Sequence, residues 1–201
     1  MNPKTYIENV LVTEARDMKP LKKRFSDLAN IRLLHGAIGI ISELAEIQEA
    51  ADADHVDRTN LMEEAGDLFW YMGIMAHQLN VVDEVFINND MMAIRTARPT
   101  DAKALLQQNI NYMVKNAGYM VDTLKKTIMY DKPLDANLMK GYLRGMDYNI
   151  NQALRIYGLT SQDARQSNIN KLKERYSEKF SEAAALNRNL AKERQALETK
   201  G

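Results

Sequence analysis

Four prolines (Pro3, Pro20, Pro99 and Pro133) and nine glycines are the only strong helix breakers in 201 residues. The stretches between them are rich in Ala, Leu, Met, Glu, Lys and Gln, the side chains that lose least freedom on a helix, so the chain has little else that it can form. The pattern predicts an all-α helical bundle, with helices over roughly 5–16, 27–52, 57–79, 82–96, 101–129, 136–157, 161–176 and 181–198. The segment "ARPTDAKAL" reads as a joint in the middle, with Pro99 stopping one helix and Thr100 or Asp101 capping the next. With 45% apolar and 27% charged residues, the chain can bury an ordinary core.

The two halves on either side of that joint repeat one another. "NLMEEAGD", Asn60 to Asp67, returns as "NLMKGYLR", Asn137 to Arg144. Placing Glu43 opposite Asn116 and Glu46 opposite Tyr119 extends the match upstream, if the second copy has a loop four residues longer, and Tyr71 falls opposite Tyr148. Each half then reads as a helical hairpin, residues 1–98 and 99–201. Two such hairpins predict a four-helix core with pseudo-twofold symmetry and peripheral helices, packed as one unit. Two unrelated amphipathic hairpins that share "NLM" by chance are the plainer alternative.

Charge separates the copies. The chain is neutral overall, but residues 1–98 carry 16 acids against 10 Lys and Arg, and the remainder 11 against 17. The sign changes where the repeat aligns: Glu63 faces Lys140, Glu64 faces Gly141 and Asp67 faces Arg144. Mutual attraction of the halves accounts for the overall balance and leaves those particular positions unexplained.

Glu43 and Glu46 stand three apart on one predicted helix, and Glu64 and Asp67 three apart on the next, so each pair projects from one face. Such pairs are common on solvated surfaces. Here "LFWYMGIMA" follows Asp67 without a charge, which makes that helix apolar nearly all round, and Ile40, Leu44 and Ile47 form a stripe beside Glu43. Carboxylates gathered in a partly dry place resist ionising unless a cation joins them. With no cysteine and three scattered histidines (His35, His55 and His77), a metal here must be held by oxygen, and Mg²⁺ suits an all-carboxylate cage that also takes phosphate oxygens.

"HGAIGIISELAEI" followed by "NLMEEAGDLFWYM" resembles the E-x-x-E … E-x-x-D signature of the all-α, MazG-like nucleoside triphosphate pyrophosphohydrolases, particularly the small members common in bacteriophages. The second half resembles other parts of that family, in the loop pattern of "DTLKKTIMYDKPLD" and the tail pattern of "NINKLKERYSEKF". The likeness covers most of residues 30–198. One departure is Ala45, where the family usually has glycine between the first two acids. The first half lacks the lysine pair in its loop and has Met92 after Asn89 where the tail lysine should stand; the second half lacks all four acids.

The resemblance implies hydrolysis of the α–β bond of (d)NTPs to a monophosphate and pyrophosphate. Mg²⁺, or Mn²⁺, would be held by Glu43, Glu46, Glu64 and Asp67. Lys125, Lys126, Lys171 and Arg175 would hold phosphates, Asn168 would donate a hydrogen bond, and Tyr130 would close over the substrate. A duplicated, fused chain would then keep one composite site, with acids from one copy and cations from the other. Lys140 and Arg144 would either fill the vacated second site with internal ion pairs, the favoured reading, or add positive charge for substrate.

Trp70 and His35 are candidates for contact with the nucleobase, although a lone Trp on an apolar helix fits the core at least as well, and His35 reads equally as a satisfied structural histidine. Glu63 and Glu49 are open between an indirect role and that of a general base. The twelve methionines read as core filler. Each basic candidate also reads as an ordinary solvated side chain.

No uninterrupted apolar run reaches the roughly 18–20 residues of a membrane span, and the N-terminus lacks a signal-like stretch, so a cytoplasmic protein without a membrane partner is the expectation. No basic cluster with interleaved aromatics points to nucleic acid. "NRNLAKERQALE" reads as a capping or dimer-forming helix, which leaves a homodimer of the fused pair open. Two other function classes also fit: a nucleotide-binding pseudoenzyme or sensor, and a helical adaptor whose acidic and basic faces meet a partner.

Overall fold

The structure is a computed structural model and describes residues 1–14, 16–86, 102–176, 181, 185 and 190–198. Among them there is no strand. The helices run in the order α1 (Pro3–Thr13), α2 (Met18–Phe25), α3 (Leu28–Asp52), α4 (Arg58–Leu79), α5 (Val82–Val85), α6 (Ala102–Tyr130), α7 (Ala136–Ile156), α8 (Ser161–Tyr176) and α9 (Leu190–Glu198). The joint expected at 97–105 falls mostly outside the described residues, as do Asn89, Met92 and the rest of the helix expected over 82–96 after Phe86.

Aspartates set four of the starts. Asp17, Asp27, Asp57 and Asp135 each stand just before a helix and accept from backbone N–H groups of its first turn, which satisfies donors that have no partner within the helix. α2 is absent from the sequence reading because Pro20 reads as a break. In fact Pro20 is the third residue of α2, a position whose N–H would have no intrahelical acceptor, so the ring costs nothing there. At the other end of α4, Asn80 adopts a left-handed conformation (φ 56°) and turns the chain into α5.

Two antiparallel hairpins form the core. α3 packs on α4 and α6 on α7, and the hairpins meet first helix on first helix (α3 on α6) and second on second (α4 on α7). The buried stripes are Leu33, Ile40, Leu44 and Ile47 on α3; Leu61, Leu68, Met72 and Met75 on α4; Leu106, Ile110, Met113 and Met120 on α6; and Leu143, Met146 and Ile150 on α7. Six methionines (Met72, Met75, Met113, Met120, Met139 and Met146) are wholly buried, the gap-filling role expected of all twelve, whereas Met1 and Met18 are exposed and fill no core. α3 is apolar and long enough to cross a membrane by composition alone, and here its stripe is taken up by α4 and α6.

One expectation about the repeat is corrected. Both hairpin joints are five residues long, 53–57 and 131–135. The extra residues of the second copy lengthen α6 instead, and since four residues make about one helical turn, the same face still meets the core. "DTLKKTIMY" is therefore helix to its end, not loop.

The positions of the second half that align with the acids pack on one another or on α5. Asn116 lies against Gly145, Tyr119 and Tyr142 pack with ring centroids 5.8 Å apart, and Lys140 pairs with Glu84 of α5 at 2.5 Å. Arg144 is exposed.

α8 crosses onto α4, and α9 onto α8. Gly66 sets the first of these contacts: a Cβ there would lie 2.7 Å from the carbonyl oxygen of Ala164 and 2.9 Å from Cβ of Asn168. Only a residue without a side chain lets the two backbones come this close. The sequence of the second half is thereby laid beside the acids of the first.

A candidate metal and phosphate cleft

α3 supplies Glu43 and α4 supplies Glu64 and Asp67, and one carboxylate oxygen from each lies within 4.8 Å of the others. Glu43 and Glu64 are buried, while Asp67 keeps part of its surface open. Glu46, one turn beyond Glu43, is exposed at the rim. These acids line a cleft of about 330 Å³ that also takes in His35, Glu63, Trp70 and Tyr71, and from α8 Leu172, Arg175 and Tyr176. The four acids expected to act together therefore share one cavity.

Asn168, Lys171 and Arg175 lie on one face of α8 at helical spacing. Nδ2 of Asn168 donates to Oδ1 of Asp67. Nζ of Lys171 donates to Oδ2 of Asp67 and, at 3.2 Å, to Oε1 of Glu63. Lys171 is 1% exposed, so its charge is spent wholly within the acidic cluster. Arg175 lines the cleft but turns its guanidinium into a two-pronged pair with Glu193 of α9, Nε to Oε1 at 3.0 Å and Nη2 to Oε2 at 2.5 Å.

One lysine does not balance this many carboxylates. Burial, then the charges of Asp67 and Glu46, push the Glu43 carboxyl up to about 7, against a smaller pull down from Lys171. Burial, then Glu46, Glu63, Asp67 and Glu43, push Glu64 up to about 8. Burial and the neighbouring Glu43 and Asp67 also raise the Tyr71 phenol. A site whose acids hold protons near neutrality is short of positive charge.

The donor set fits a hard divalent cation. It is all oxygen, and opposite oxygens about Mg²⁺ stand about 4.2 Å apart, so small rotamer changes would close the present spacing. Each Asp67 oxygen has a second lone pair beyond the one used by Asn168 or Lys171.

Beside the acids, on the same two helices, the cleft lining is aromatic. His35 meets Trp70 and Tyr71 edge-on at 5.9 Å and 5.5 Å between centroids, and Tyr71 lies over Gly39, where a Cβ would be 2.2 Å from the ring. Trp70 is 38% exposed, so the core placement considered for it is corrected: it is a cleft residue.

Lys125, Lys126 and Tyr130 are not brought to this cavity. The two lysines are exposed on the last turns of α6, paired with Asp122 at 2.6 Å and 2.5 Å, and Tyr130 is 62% exposed at the end of that helix. Glu49 is exposed and outside the lining, whereas Glu63 is inside it. Tyr71 and Tyr176 line the cleft without having been singled out as site residues. Their spacing was a usable signal, Tyr71 one turn after Asp67 and Tyr176 next to Arg175.

No family model, no curated protein and no solved structure matches the chain, so the reading of the cleft rests on its own geometry.

Proposed function

We propose that this chain is a MazG-like nucleoside triphosphate pyrophosphohydrolase that cleaves (d)NTPs to the monophosphate and pyrophosphate with Mg²⁺ or Mn²⁺. The observation that carries the reading is the convergence of Glu43, Glu64 and Asp67, with Glu46 at the rim, in a cleft whose facing wall comes from α8 of the other half. A cation held by these acids supplies neutralisation of phosphate charge and a lowered pKa for bound water.

The remaining roles belong to the chain itself. Asn168 and Lys171 fix both oxygens of Asp67, so that carboxylate is presented in one orientation. Arg175, at the cleft wall, offers positive charge toward an entering triphosphate once it leaves Glu193. Trp70, Tyr71 and His35 offer a base aromatic faces and edges to pack against, and the cavity volume is in the range that admits small ligands.

The test is pyrophosphate release from a panel of ribo- and deoxynucleoside triphosphates with Mg²⁺. Release that disappears in Glu64→Gln and Asp67→Asn is the expected result. A wild-type chain that binds no divalent cation and releases no pyrophosphate from any of the panel would sink the proposal.

A second reading, a nucleotide-binding sensor without turnover, is favoured by one observation: Lys171 and Arg175, the α8 cations singled out for phosphate, are already engaged, Lys171 with Asp67 and Glu63 and Arg175 with Glu193. Binding of nucleotide with Mg²⁺ and no product would select it.

A further inference from the structure

Trp70 lines two cavities. One is the acidic cleft; the other, of about 230 Å³, lies farther along α4 toward α5, with Phe69, Gly73, Phe86, Arg165 and Ile169 around it. Its lining is apolar but for Arg165 and Asn168. Asn168 turns its amide to Asp67, so Arg165 is the polar group left to the pocket. The Arg165 guanidinium lies 5.2 Å from the centre of the Phe69 ring, and among the described residues it has no hydrogen bond or ion pair. Gly73 keeps the space open, since no atom lies within 4 Å of where its Cβ would be.

The indole is already met by His35 and Tyr71, at 5.9 Å and 4.9 Å between centroids, and both of these line the cleft and not the second pocket. Among the described residues no other ring packs against it. The surface of Trp70 left for a planar ligand is therefore the one that fronts Phe69, Gly73 and Phe86.

We infer that this second pocket receives the base of the nucleotide, laid against the side of Trp70 away from His35 and Tyr71, while the phosphates lie at the acids and the sugar passes the indole. The inference rests on the reading of the acidic cleft as a triphosphate site, and adds where the base lies and which bases fit. From Asp67 to Gly73 is about 9 Å along α4, a length that a sugar and its base bridge. The cleft and the pocket, about 330 Å³ and 230 Å³, together lie within the roughly 300–1,000 Å³ of ligand sites. Arg165 sets the preference. A guanidinium donates and cannot accept, so it suits the carbonyl oxygen of guanine, thymine or uracil. The amino group that adenine and cytosine carry at the same edge would set a donor against a donor.

Trp70 is the only tryptophan in the chain, so its fluorescence reports on the pocket. The Mg²⁺ complexes of α,β-methylene dGTP and dATP, which the proposed reaction cannot cleave, and of inorganic tripolyphosphate are titrated into the wild type, Gly73→Leu and Arg165→Met. In the wild type the dGTP analogue should quench Trp70 and bind about fivefold or more tighter than the dATP analogue, and tripolyphosphate should bind without that quench. Gly73→Leu, which fills the pocket, should weaken both nucleotides about tenfold and leave tripolyphosphate binding unchanged. Arg165→Met should abolish the preference for guanine. Should Gly73→Leu fail to fold, the guanine preference and its loss in Arg165→Met decide alone. A wild type that binds the two analogues equally overturns the inference. So do nucleotide affinities that neither substitution moves; with tripolyphosphate still bound, the reading of the acidic cleft then stands and the base lies elsewhere. If neither nucleotide nor tripolyphosphate binds, that reading falls and this inference with it.

Discussion

The ammonium of Lys171, from the second half of the chain, is bonded to the Asp67 carboxylate of the first half and is shut away from water. It compensates part of the acidic cluster, and removing it leaves Asp67 and Glu63 facing Glu43 and Glu64 unaided. Lys171→Met should therefore destabilise the metal-free protein by about 3 kcal/mol, the low end for breaking a buried pair, because Asp67 keeps a quarter of its side chain in water. The same variant should gain more from a divalent cation than the wild type does, since any cation that binds only the folded state stabilises it by mass action. Thermal melts in chelator and in Mg²⁺ check both points. Equal metal-induced shifts in the two proteins would mean that Lys171 and the metal do not answer to the same charges.

The stability of the metal-free protein should fall as pH rises from the ordinary glutamate value toward neutrality and beyond. Glu43 titrates at about 7 and Glu64 at about 8 in the fold, both up from 4.5. Between 4.5 and those values the folded state holds protons that the unfolded chain has lost. Raising the pH therefore favours unfolding, and the contribution is gone above the folded values. Urea midpoints in chelator should be higher at about pH 5.5 than at about pH 8.5, and Glu64→Gln should flatten the dependence. Metal affinity should move oppositely and strengthen with pH, because cations and protons compete for the same oxygens. A midpoint that rises across this interval would contradict the crowding of acids described above.

Gly66 and Gly73 lie two turns apart on α4 and should respond to alanine in opposite directions. A Cβ at Gly66 meets the backbone oxygen of Ala164, which cannot swing aside, whereas nothing lies within 4 Å of a Cβ at Gly73. Gly66→Ala should cost about 1–3 kcal/mol by prising α8 from α4. It should also weaken metal binding, because Asn168 and Lys171 would be carried away from Asp67. Gly73→Ala should stabilise by about 0.5–1 kcal/mol through helix propensity alone. Denaturation midpoints for the pair, with metal titrations for Gly66→Ala, decide the matter.

The helices and the acids were legible because both are written in local spacing. The apolar-periodic runs gave α3, α4 and α7, and two acid pairs at a spacing of three placed Glu43, Glu64 and Asp67 on faces that converge. Pro20 hid α2, because a proline in the first turn looks like one in a break. The part played by α8 depends on a close approach at Gly66, and a glycine in a helix does not announce what will press against it. Lys125 and Lys126 stand three and four residues after Asp122, the spacing of helical ion pairs, and the resemblance to a loop pattern drew them toward the cleft instead.

That difference among the lysines and arginines supplies a final test. Lys125 and Lys126 are exposed and tied to a neighbour on their own helix, an arrangement that contributes little because water screens it. Arg175 lines the cleft. If nucleotide enters where the acids converge, Lys125→Ala/Lys126→Ala should leave stability and KM within about twofold of wild type. Arg175→Ala should raise KM about tenfold or more, the loss of one charge-assisted contact to phosphate. Because Arg175→Ala also removes an ion-pair partner from the buried Glu193, Glu193→Gln serves as its control. That change releases Arg175 from its pair, so KM should fall while the melting temperature falls too, a combination that a purely structural role for Arg175 does not produce. Steady-state kinetics and melting curves on the three variants separate the cases, and a KM effect confined to Lys125 and Lys126 would move the phosphate site away from α8.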